Sequence, residues 1–135
     1  MNSKIIKICA ISLIFCFLFS FFTFASNEEK EPQPKATYIS AYSARIDHGA
    51  VTTKVNADLT GTSSVTKVKI KMELQKLSDG VYSTVETWEQ TFNSRTGSME
   101  ESKITNPFST YRLKTTFTAY TSSTSETRTY YVYDN

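Results

Sequence analysis

Beyond residue 36 the chain alternates between apolar and polar positions with a period of two, the spacing of half-buried β-strands, and helical spacing competes nowhere. The clearest stretch is 66–77, where Val68, Ile70, Met72 and Leu74 alternate with Lys67, Lys69, Lys71 and Glu73. A run over 51–59 places Val51, Thr53, Val55, Ala57 and Leu59 inward, and 110–121 places Tyr111, Leu113, Thr115, Phe117 and Ala119 on one face. A first strand over 37–46 carries Tyr38, Tyr42, Ala44 and Ile46 on one side. The run 81–92 holds Tyr82, Val85, Trp88 and Phe92 in a broken phase, which predicts a bulge near Val85. A weak strand covers 98–104. The last covers 126–133, with Tyr131 and Tyr133 on one face and Tyr130 on the other.

Turn chemistry separates these runs. Asp47-His48-Gly49, Gly61 with Thr62-Ser63-Ser64, Asn93 to Gly97 and Asn106-Pro107 are breakers. Ser78-Asp79-Gly80 is a hairpin signal, because Asp-Gly adopts positive φ at low cost. Seven short strands in about a hundred residues predict an all-β fold: a seven-stranded antiparallel sandwich of immunoglobulin or fibronectin-III type. A small barrel is the alternative. In the sandwich order the third and sixth strands are neighbours, with the seventh beyond.

The first 25 residues follow another rule. Lys4 and Lys7 precede an apolar run from Ile8 to Phe24, and Thr23 and Ala25 put small residues before a cut after Ala25. This is the pattern of a secretory signal peptide and predicts export. The same run has the length of a short membrane anchor, which is what it becomes if uncleaved. Residues 26–36 are charged and proline-bearing, the composition of a linker, so the folded domain is expected over 37–135.

Three stretches carry a resemblance: YRLKTTFTA at 111–119, DLTGT at 58–62, and VTKVKIKMELQKLSDGVYSTVETW at 65–88. Together they resemble small secreted Gram-positive bacterial proteins of unknown function, in which a signal peptide precedes one β-sandwich. The resemblance spans about residues 37–133. It implies fold and localisation, and it carries no activity.

Composition narrows the chemistry. Both cysteines (Cys9, Cys16) fall before residue 26, so the domain has no disulfide framework and no cysteine metal site. After residue 25 the chain holds 13 basic and 13 acidic side chains, which argues against a nucleic-acid binder. His48 is the single imidazole and sits in a turn beside Asp47; the expectation is a surface turn residue, not a catalytic base. Glu100 and Glu101 are adjacent, and Glu86 and Glu89 are three apart, so each pair falls on opposite faces of its strand and supplies no acid–base couple. The expectation is a non-enzymatic protein with no cofactor and no metal.

Two surface features remain. Lys67, Lys69 and Lys71 point out from the third strand, Arg112 and Lys114 from the sixth, and Arg128 from the seventh, with Glu73, Glu86 and Glu126 neutralising part of the face. Tyr120 is also directed outward, among eight tyrosines. Cations beside tyrosines suit a polyanionic wall polymer, a glycan or an envelope surface. A binding or adhesion module at the cell envelope is therefore expected. The alternatives are a subunit that assembles through an edge strand, with oligomeric state open, and a small toxin or inhibitor.

Overall fold

The computed structural model describes residues 37–134. Seven strands follow in order: β1 (Ile39–His48), β2 (Thr52–Gly61), β3 (Lys67–Ser78), β4 (Val81–Phe92), β5 (Thr96–Ile104), β6 (Tyr111–Tyr120) and β7 (Ser125–Tyr133). They form a three-stranded sheet, β1-β2-β5, and a four-stranded sheet, β4-β3-β6-β7, with every pairing antiparallel. The fourth strand pairs with the third. This is the fibronectin-III partition, whereas the constant immunoglobulin order puts that strand in the other sheet. The segment 1–25, with its expected signal peptide, and the linker 26–36 lie outside the described residues.

The core is the inward half of each alternating run. Val55, Ala57 and Leu59 of β2 meet Val68, Ile70, Met72 and Leu74 of β3 and Leu113, Phe117 and Ala119 of β6, all buried. Met99 of β5 joins them, so even the weakest strand contributes a core side chain. Edge strands give half-buried Trp88, Phe92 and Val132. In β1 the register shifts between Ile39 and Ala41, so Ile39 is buried although Tyr42, Ala44 and Ile46 have the opposite parity. Val51 departs from the expected pattern. It precedes β2 and stays exposed, its carbonyl accepting the Thr105 N–H at 2.9 Å.

The hairpin and the bulge form where the residues predict them. Asp79 (φ 52°) and Gly80 (φ 78°) make a two-residue turn with both φ positive. Gly80→Ala should cost about 1 kcal/mol, because a Cβ disfavours that backbone region; a urea midpoint equal to the parent's would contradict it. Leu74 pairs with Glu86 and Gln75 with Thr84, which leaves Val85 as the extra residue of the bulge. Gly97 is needed for a different reason. A Cβ there would lie 2.4 Å from the Phe92 ring, so the glycine lets Phe92 close the β4–β5 end.

Candidate functional site

The register of the four-stranded sheet decides which side chains share its outer face. Lys67, Lys69, Lys71, Glu73 and Gln75 alternate with the buried β3 residues and oppose Tyr120, Thr118, Thr116, Lys114 and Arg112 of β6 in turn. Beyond them lie Thr127, Thr129, Tyr131 and Tyr133 of β7. On the other side are Glu89, Thr87, Thr84 and Tyr82 of β4. The predicted Lys67, Lys69, Lys71, Arg112, Lys114 and Tyr120 thus lie on one face. Arg112 and Lys114 stand opposite Gln75 and Glu73, toward the far end of β3 from Lys67.

Three expected contributors belong elsewhere. Arg128 pairs with Phe117, so it points to the inner side of its edge strand, where its Nε and Nη2 donate to Glu126 Oε1 at 3.0 and 2.8 Å. Glu126 shares that side, opposite Ala119. Glu86 lies on the inner side opposite Leu74 and accepts from Lys103 of β5 at 2.6 Å. The carboxylates on the outer face are Glu73 and Glu89. Glu73 lies 3.2 Å from Lys114 and 3.8 Å from Lys71, and Glu89 lies 3.5 Å from Lys69.

The face therefore holds five cations and two carboxylates, among 11 basic and 10 acidic side chains in residues 37–134. The outer face of β1-β2-β5 carries Arg45 and Lys54 against Asp47, Asp58 and Glu100. The two faces of the sandwich thus have opposite net charge.

Two of the five cations have tyrosine neighbours instead of carboxylates. Lys67 Nζ sits 4.6 Å above the Tyr120 ring. The Arg112 guanidinium lies 4.0 Å over Tyr82, 4.8 Å from Tyr131 and 5.9 Å from Tyr133. Its Nε donates to Gln75 Oε1 at 2.8 Å, and the Gln75 amide donates to Thr84 Oγ1 at 3.2 Å. This cluster depends on the bulge. Without the extra residue at Val85, Tyr82 would have the core-facing parity of Trp88; with it, Tyr82 shares a face with Arg112.

His48 is not on the surface. It ends β1 opposite the buried Thr53, and its side chain is 10% exposed. Its Nδ1 lies 2.7 Å from Thr53 Oγ1 and 3.9 Å from Asp134, its ring packs on Tyr111, and Thr53 bonds Thr105 at 2.7 Å. Its neighbours are threonines and Asp134, while the adjacent Asp47 is on the outer side opposite Lys54. Tyr111 closes this end, its hydroxyl accepting the Asn106 N–H at 3.2 Å, the corner contact of such sandwiches. Among the described residues no three His, Asp or Glu side chains converge as metal ligands.

No protein-family model matches the chain, and no curated protein matches it.

Proposed function

We propose that this protein is an exported, non-enzymatic binding module whose outer β4-β3-β6-β7 face holds a polyanionic wall polymer or acidic glycan at the cell envelope. The observation that carries this reading is the sorting of charge: five cations to two carboxylates on one outer face, two to three on the other. A flat sheet of spaced cations suits an extended polymer better than a small molecule. Each exposed charge attracts weakly, and together they hold a chain that meets several at once. The module's mechanism is then electrostatic capture followed by contact with the tyrosines at the ends of the face.

Binding of a glycerol-phosphate wall polymer should fall about tenfold from low to physiological salt, as the screening length shortens from about 30 to 8 Å. Lys69→Glu combined with Lys114→Glu should abolish it. Stability should fall by about 1–2 kcal/mol, because two ion pairs are lost and the reversed charge at 114 stands directly opposite Glu73, whose side chain is 14% exposed. If the double variant binds wall polymers and acidic glycans as well as its parent, the face is solvated surface and the reading fails.

A further inference from the structure

We infer that Arg112 and its surrounding tyrosines form a subsite for a carboxylated sugar, a uronic acid unit within an acidic polysaccharide. The inference rests on the proposed binding role of this face and names the unit that it recognises.

Three features of the cluster point to a carboxylate on a ring. The guanidinium is held in place before any ligand arrives: Gln75 fixes Nε, Tyr82 covers one side at 4.0 Å, and Tyr131 and Tyr133 flank it. Fixing a long side chain in advance removes much of the entropy cost of using it. Arg112 also has no ion pair among the described residues, whereas Lys69, Lys71 and Lys114 each face a glutamate. Nε donates to Gln75, and Nη1 makes only a 3.5 Å contact with the Tyr133 hydroxyl, so the Nη edge can present the planar fork that fits a carboxylate with two parallel hydrogen bonds. Finally, Tyr131 and Tyr133 are about half exposed, and Tyr82 meets Tyr133 edge-on at 6.2 Å. The exposed part of these rings offers an apolar platform to the C–H face of a pyranose beside the bound carboxylate.

A lysine-only surface would take any polyanion. This cluster discriminates, because the fork rewards a carboxylate and the rings reward a sugar attached to it. Phosphodiester polymers without a ring near the charge would bind through the lysines and gain little here.

The test uses the full-length chain in a mild non-ionic detergent, titrated calorimetrically with trigalacturonate, its methyl ester and neutral galactotriose. Trigalacturonate should bind at least tenfold more tightly than either of the other two. Arg112→Lys, which keeps the charge and loses the fork, and Arg112→Gln should each weaken it at least tenfold, and Tyr131→Ala should do so severalfold. Lys54→Gln, on the outer face of β1-β2-β5, should change it less than twofold at physiological salt. Equal binding of the acid and its methyl ester would overturn the subsite whatever the variants do. So would parent-like binding by Arg112→Lys and Arg112→Gln, which would leave Arg112 as a packing residue. If trigalacturonate fails to bind while the glycerol-phosphate polymer binds in a Lys69- and Lys114-dependent way, the subsite falls and the binding face stands. If neither binds, both fall.

Discussion

Replacing Phe117 by alanine should cost about 3–5 kcal/mol, the usual range for removing a fully buried aromatic ring. Phe117 is the largest of the fully buried side chains and lies where β6, β1 and β3 meet. Its ring centroid is 5.1 Å from Tyr42, whose ring is 5.7 Å from Tyr130 of β7. The substitution therefore opens a cavity and also loosens the aromatic column that closes the β1–β7 side. A domain of this size has about 5–15 kcal/mol of stability to lose, so the variant should unfold at a much lower urea concentration with an unchanged slope. Leu113→Ala, at a site equally enclosed on the same strand, should cost about 2–5 kcal/mol. A loss below about 1 kcal/mol for Phe117→Ala would mean that the two sheets do not pack through this ring.

Glu126→Ala should cost about 3 kcal/mol at neutral pH, since it strips both a charge partner and three acceptor bonds from one place. Glu126 Oε2 accepts the backbone N–H groups of Thr37, Tyr38 and Ile39 at 3.0, 2.6 and 3.1 Å, while Oε1 takes Arg128. Burial alone would raise the pKa of this carboxyl, but the N–H donors of Tyr38, Ile39 and Thr37 together with Arg128 outweigh it, and the pKa is lowered. A carboxylate with a lowered folded pKa stabilises the protein fully above its unfolded value, near 4.3, and loses that contribution as pH falls through the folded value. The gap between parent and Glu126→Ala should therefore be constant above about pH 5 and close below about pH 4. A gap that persists undiminished at pH 2, or none at pH 7, would contradict the role assigned to this latch. Glu86 also has a lowered pKa, through Lys103 first and then the Thr87 N–H, but that pair is exposed and contributes little.

Much of this architecture is legible in the residues because β3 and β6 are central strands. Burial on one face forces strict alternation there, so Val68 to Leu74 and Leu113 to Ala119 announce their own orientation. Edge strands obey a weaker constraint, and the misreadings fall there, apart from Val51 just before the central β2. Arg128 shares parity with Tyr130 and Val132, not with Tyr131 and Tyr133, so the pattern did carry its true side; the run of three aromatics blurred it. Glu86 and Glu126 reach across the open sides of the sandwich, contacts that link strands of different sheets and leave no local trace. His48 is similar. Its neighbours Asp47 and Gly49 read as a surface turn, but the β1–β2 register sets its ring opposite the buried Thr53.

The outer face of β4-β3-β6-β7 is legible as a set of outward cations, but its ion pairs and its tyrosine cluster are legible only in part. Pairing of the third and sixth strands follows from the fold class, but the offset that puts Lys114 beside Glu73 and Arg112 beside Gln75 depends on the whole packed sheet. The tyrosine cluster had one available signal, the broken phase at Val85. Following the bulge through moves Tyr82 to the outer face, where it meets Arg112.

The proposed docking surface for a polyanion is the outer face of β4-β3-β6-β7. Amide chemical-shift mapping of the 26–135 chain during titration with a polyanionic wall polymer tests it most directly. Salt-sensitive shifts are expected at Lys67, Lys69, Lys71 and Lys114, with β1-β2-β5 silent. Shifts centred on β1-β2-β5, or none at any salt concentration, would contradict it.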